Sequence, residues 1–88
     1  MPVISRFYGI LIKMFFGDHA PPHFHAEYNE HKVVIAIEDF RIIEGWLPPK
    51  ALGLVIEWAS LHKEELIENW NSLSENGGGT FKKIEPLK

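Results

Sequence analysis

The sequence predicts an α+β fold in which a three- or four-stranded antiparallel β-meander packs against one long C-terminal α-helix. Apolar residues alternate with period two through the first half of the chain, and short connections between these segments indicate antiparallel hairpins. After residue 48 the apolar residues recur three or four positions apart, as in a helix. The 88 residues therefore form a single domain, with the sheet in 1–47, the helix in 48–76 and a glycine hinge and tail in 77–88.

The first predicted strand covers residues 4–16, which are rich in β-branched and aromatic types. Gly9 marks a bulge or a bend within it. The connection that follows is held extended by Pro21-Pro22, because proline lacks a backbone donor and has a fixed φ. Period two places these side chains on the buried face: Tyr8, Ile10, Ile12, Met14 and Phe16.

Three further strands are predicted before the helix. Residues 23–28 alternate again, and Asn29-Glu30 makes a turn into the strand 31–38. That strand directs its β-branched side chains inward: Val33, Ile35 and Ile37. A turn at Asp39-Phe40 then leads to a shorter strand over 41–46.

The predicted helix begins near Pro49, since proline is well tolerated at a first helical position, and runs to about Glu75. About 26 residues at ~1.5 Å rise would span roughly 39 Å, whereas a domain of this length has a radius of gyration of only ~12 Å. The first half of the helix is apolar nearly all round, so it either covers the sheet alone or also contacts a small protein partner or a second copy. The side chains predicted to form that contact are Leu54, Trp58 and Leu61.

Composition narrows the class of protein. The formal net charge of −3 argues against a broad phosphate-binding surface, although it leaves a small basic patch for nucleic acid open. The absence of cysteine and of a signal-peptide layout predicts a cytoplasmic protein. No apolar run is long enough to span a membrane. After the glycines, residues 81–87 form a short final strand or a loose tail.

Three of the five histidines lie in residues 19–25, His-Ala-Pro-Pro-His-Phe-His. His23 and His25 are two apart on a predicted strand, so their imidazoles project from one face. His19 would complete three nitrogen ligands for zinc or another divalent metal.

Two other interpretations of the same residues stay open. His23 and His25 would act as catalytic acid and base, for example in cleaving a phosphodiester, with Lys13 or Arg41 as the cation. Alternatively, the histidines are structural, packing beside Pro21-Pro22 and bonding to the backbone.

Several segments make the chain resemble a small bacterial family known as domain of unknown function 4160. The resemblance spans almost the whole chain, and its distinctive part is the block from His19 to Ala26. The other matching segments are residues 2–10, 47–52, 57–62, 69–70 and 83–87.

This resemblance implies a compact sheet-plus-helix domain encoded beside another small protein, in a layout similar to toxin–antitoxin pairs. It implies no activity. The predicted function is therefore a protein-interaction component of a toxin–antitoxin-like pair. The alternative is a histidine-based or metal-assisted hydrolase that uses His19, His23 and His25, with ribonuclease as one candidate class.

Overall fold

A computed structural model describes residues 3–15, 19–75 and 82–88. This part of the chain is α+β, with one five-stranded antiparallel sheet and two helices. The strands lie side by side in chain order, so β1 and β5 are the edges of the sheet. The element bounds are β1 Val3–Phe7, β2 Ile10–Lys13, β3 His23–Tyr28, β4 His31–Ala36, β5 Ile42–Gly45, α1 Pro49–Leu61 and α2 Lys63–Glu75.

The segment predicted as one strand over 4–16 is a hairpin of two strands. Phe7 pairs with Ile10, and the two residues between them, Tyr8 and Gly9, both have positive φ. Two residues of positive φ make the tight turn that suits the right-handed twist of a hairpin. Tyr8 extends the alternation of Ile10 and Ile12 backward along the sequence, which hid the reversal. Tyr8 is consequently exposed at the turn and not buried as predicted.

The later strands follow the predicted pattern. Turns lie at Asn29, with φ 55°, and at Phe40, with φ 60°, as the sequence indicated. β3 and β4 pair in register over six residues, from His23 opposite Ala36 to Tyr28 opposite His31. The side chains that face the helices are buried and form the sheet half of the core: Ile4, Phe7, Ile10, Ile12, Met14, Phe24, Ala26, Val33, Ile35 and Ile37.

The single long helix of the prediction is interrupted at His62. The first helix does begin at Pro49. At His62 the backbone leaves helical geometry, with φ −126° and ψ 26°, and its N–H bonds to the carbonyl of Ala59. The second helix starts at the next residue. The break fits the size of the domain, because a continuous helix of roughly 39 Å would exceed its longest extent of 35 Å.

Residues 82–88 form no regular element, but they dock on the domain and do not stay loose. The N–H of Ile84 donates to the carbonyl of Ile4 on β1 at 2.8 Å. The Asn69 side chain makes two hydrogen bonds to the backbone of Lys82, and the Trp58 indole N–H donates to the carbonyl of Glu85. The tail thus lies along the β1 edge of the sheet.

Neither α1 nor α2 has the length and apolar character needed to cross a lipid bilayer, and the described residues contain no other helix.

Candidate functional site

The histidine block lies at the junction of a loop and β3. Phe24 and Ala26 of β3 are fully buried on the helix side of the sheet. Successive side chains alternate between faces, so His23 and His25 project from the opposite face, where both are half-buried. His19, in the preceding loop, is exposed. The predicted shared orientation of the two strand histidines is therefore what the fold produces.

Contacts orient both imidazoles. The ring centroids of His23 and His25 are 5.2 Å apart, and the rings meet edge to face. His25 also meets the ring of Phe15 at 4.6 Å, and His23 lies 5.0 Å from the Trp70 ring. The four rings form a row that runs from Phe15, two residues after β2, to Trp70 on α2, and this packing restricts the side-chain rotamers of the histidines.

A hydrogen bond to the backbone sets the tautomer of His23. Its Nδ1 lies 2.8 Å from the carbonyl oxygen of Pro21. Because a carbonyl only accepts hydrogen bonds, Nδ1 carries the proton, and in the neutral ring Nε2 holds the basic lone pair. This contact agrees with the structural interpretation of the block, in which the histidines bond to the backbone.

A small cavity brings the three histidines together with β5. Its volume is about 280 Å³, and its lining residues are His19, Ala20, Pro21, His23, His25, Val34, Ile43 and Glu44. Glu44 belongs here because strand pairing places His25 opposite Val34, and Val34 opposite Glu44. Sequence reasoning missed Glu44, since only the register across three strands connects it with the histidines. We call this cavity the imidazole pocket.

The residues do not form a complete metal site in the described part of the chain. Residues 3–15, 19–75 and 82–88 contain no group of three His, Asp or Glu side chains placed to hold one metal ion. Glu27, which continues the face of the two histidines, bonds instead to Lys13 at 3.0 Å. Asp18 lies outside the described residues. Zinc binding by His19, His23 and His25 thus stays a prediction.

Both cations considered for a phosphate are engaged in ion pairs. Lys13 lies opposite His25 in the sheet, but its Nζ contacts Glu27. Arg41 contacts both carboxylate oxygens of Asp39. The pKa of Asp39 is held below its ordinary value, mainly because the Arg41 backbone N–H donates to its carboxylate and also because the Arg41 guanidinium lies beside it.

The predicted partner face on the helix is largely covered. Trp58 is 0% exposed, because its ring packs between Phe7 and Phe24. It therefore belongs to the core and is not a surface contact, which corrects the prediction for this residue. Leu54 is partly buried against the core, whereas Leu61 is 67% exposed. The wide apolar face of α1 is explained mostly by what it covers within the domain.

A different apolar surface lies at β5. All four of its residues are exposed. Ile42 and Ile43 are each 43% exposed and Trp46, which follows the strand, is 55% exposed. These are three of the five large hydrophobic side chains exposed in the described residues, and they fall within five consecutive positions. The predicted meander already implied that the last strand lies at an edge of the sheet, but the exposure of its apolar side chains was not predicted.

Comparisons with known proteins identify the family. No curated protein and no solved structure matches the chain. A family model described as Domain of unknown function (DUF4160) matches residues 9–71, which include the imidazole pocket, β5 and most of both helices. Since this match covers well over half of the sequence, the chain belongs to the DUF4160 family.

Proposed function

We propose that the protein is a protein-interaction module whose partner adds a strand to the edge of β5. The observation that carries this proposal is the exposed apolar edge formed by Ile42, Ile43 and Trp46. An edge strand presents backbone donors and acceptors in a row, and these pair readily with an extended segment of another chain. Exposed apolar side chains beside such a row would add buried area on binding.

The other edge of the sheet supports the same proposal. Residues 82–88 lie along β1, where Ile84 donates a hydrogen bond to Ile4. No described residue provides a comparable cover for the outer side of β5, which is last in the strand order. Natural sheets usually protect their edges with charges, prolines or a covering segment. The edge of β5 carries one charge, Glu44, and its exposed apolar side chains are the pattern expected where a partner binds.

The partner we propose is the small protein encoded beside members of this family, in a toxin–antitoxin-like pair. The gene layout implied by the family resemblance supports this choice, and a homodimer through β5 is the competing arrangement. In either case the binding surface is the edge of the sheet. Of the helix residues predicted to contact a partner, Leu61 is the one that remains exposed.

Co-expression with the product of the adjacent small gene tests the proposal. Ile43→Lys places a charge in the centre of the edge, and we expect it to weaken the complex about tenfold or more. Leu61→Lys is the matched control, because it introduces the same charge at an exposed apolar position on α1. Affinities measured by calorimetry on the purified proteins decide between the surfaces.

Loss of binding in Leu61→Lys with retention in Ile43→Lys would move the interface to the helix. Retention in both variants would refute both surfaces. Both positions are exposed, so we expect each variant to keep the free energy of unfolding within about 0.5 kcal/mol of the original chain.

We also propose a second candidate function, histidine-based hydrolysis of a phosphodiester such as single-stranded RNA. The tautomer of His23 favours it, because Nε2 is the basic nitrogen. The ring of His25 is in contact with the ring of His23, with 5.2 Å between the centroids. In this mechanism one imidazole accepts the proton of the attacking hydroxyl, and the other, protonated, donates to the leaving oxygen.

A cleavage assay on a labelled RNA oligonucleotide tests this candidate, with chelator present to exclude metal catalysis. His23→Ala and His25→Ala should each slow cleavage by about 100-fold. His31→Ala, a histidine that contacts Trp46 and lies outside the imidazole pocket, should leave the rate unchanged. Equal rates in all three variants, or no cleavage by the original chain, would contradict it.

A further inference from the structure

We infer that the segment paired with β5 is basic as well as aliphatic, with a lysine or arginine opposite Glu44. This inference rests on the proposed function, since it describes the partner of that edge. It is carried by the charges along β5 and by the position of Glu44 in the wall of the imidazole pocket.

Of the two charged residues at β5, Arg41 has an ion-pair partner and Glu44 has none among the described residues. Arg41 enters the strand already bound to Asp39, with contacts of 3.2 and 3.1 Å to the two carboxylate oxygens. Glu44, in contrast, makes no hydrogen bond or ion pair in the described part of the chain, and it lies among exposed apolar residues. The edge therefore presents an uncompensated negative charge, on a protein whose formal net charge is −3. Opposite charges across paired strands stabilise pairing, and like charges oppose it.

The pocket wall favours a long cationic side chain. Val34, Ile43 and Glu44 line the cavity of about 280 Å³ next to the edge. Lysine and arginine bury their apolar stems on aliphatic surface while the charged group reaches a polar partner. A strand added to β5 projects alternate side chains toward this face of the sheet. The stem would lie against Val34 and Ile43, and the charged group would reach the Glu44 carboxylate.

A second copy of the chain satisfies this charge poorly. Strands paired antiparallel about a twofold axis place residues at equal distances from the centre opposite each other. A pair centred on Glu44 would bring two carboxylates together. Centring it on Ile43 or on Ile42 would put Glu44 opposite Ile42 or Phe40 of the second copy. None of these registers offers Glu44 a cation, so the charge favours a different chain.

Two blocked synthetic heptapeptides test the inference on the full chain. One alternates valine and lysine, and the other alternates valine and glutamate. Binding is followed through the backbone amide shifts of residues 42–46. We expect the lysine peptide to bind about tenfold more tightly than the glutamate peptide. Glu44→Gln should remove most of this preference, whereas Glu64→Gln, which removes a charge from the exposed face of α2, should preserve it.

The outcomes separate this inference from the function on which it rests. Equal binding of both peptides, abolished by Ile43→Lys, would overturn the basic partner and leave strand addition at β5 standing. Self-association that Ile43→Lys abolishes, with no peptide bound, would make the second copy the occupant and overturn the inference. A monomer that binds neither peptide would overturn both proposals.

Discussion

The two edges of the sheet differ in what covers them. β1 is followed along its outer side by residues 82–88, which bond to Ile4, to Asn69 and to Trp58. β5 has four exposed residues and carries exposed apolar side chains. The same kind of backbone row is thus covered at one edge and presented at the other. The proposed partner would close the edge that the tail does not cover.

The largest expected difference in stability is between Trp58, which bonds to the tail beside β1, and Trp46, which follows β5. Trp58→Ala removes a fully buried side chain and the hydrogen bond to Glu85, so we expect a loss of about 3–5 kcal/mol in the free energy of unfolding. Trp46→Ala removes a side chain that is more than half exposed, and its effect should be under about 1 kcal/mol. Urea denaturation measures both. Similar losses in the two variants would contradict the contrast between the edges.

Asn69 holds the tail, and its replacement should open the covered edge. Its amide donates to the Lys82 carbonyl at 2.8 Å and its Oδ1 accepts from the Lys82 N–H at 2.9 Å. Asn69→Ala leaves both backbone groups unpaired, so we expect a loss of about 2–3 kcal/mol. Hydrogen exchange at the Ile84 amide should quicken well beyond the change in global stability. Exchange that stays as slow as in an exposed-face control, Glu68→Ala, would mean that Asn69 does not anchor the tail.

Gly45 tests how firmly β5 is attached to β4, and Gly53 in α1 is the control. Gly45 has φ +87°, and an added Cβ would overlap the carbonyl oxygen of Lys32. Gly45→Ala should therefore cost about 2 kcal/mol and shift the edge strand. In α1, Gly53 has open space around it, so Gly53→Ala should stabilise by about 0.5–1 kcal/mol. Thermal unfolding of both variants should show opposite signs, and a Gly45→Ala variant as stable as the original chain would refute this description of the edge.

The smallest effect concerns the turn that leads into β5. Arg41 lowers the pKa of Asp39, so the charged carboxylate stabilises the folded state at pH values above the ordinary pKa of 3.8. This stabilisation is lost as the pH falls through the lowered pKa. Asp39→Asn should be slightly less stable than the original chain at about pH 6 and equal to it at about pH 2. A difference that persists at low pH would assign the effect to packing.

The sequence predicted the later strands better than the first hairpin. Between residues 23 and 37 the apolar positions alternate, and Asn29 interrupts them with a residue that tolerates positive φ. At Tyr8-Gly9 the phase of the alternation shifts by one residue, because the two-residue turn places Phe7 and Ile10, three positions apart, on the same buried face. Tyr8 is aromatic and extends the alternation of Ile10 and Ile12 backward along the sequence, so the sequence indicated one strand, whereas the hairpin buries Phe7 and exposes Tyr8.

The break between the two helices could not be predicted from the local spacing of apolar residues either. The apolar stripe from Val55 to Leu66 keeps helical spacing across His62, so nothing in it signals a break. The interruption depends on the size of the domain and on where both halves find buried surface. His62 itself contacts Glu65 at 2.6 Å and the Trp58 ring at 5.6 Å, and both partners lie within four residues of it along the chain.

For this protein the sequence alone determined the fold class, the start of the first helix at Pro49 and the shared face of His23 and His25. These features follow from local rules of periodicity and proline geometry. Tertiary structure alone decided that Glu44 joins the imidazole pocket, that Trp58 belongs to the core, and that the tail covers β1 while β5 stays exposed. Each of these depends on strand order and register, which bring together residues that no local spacing relates.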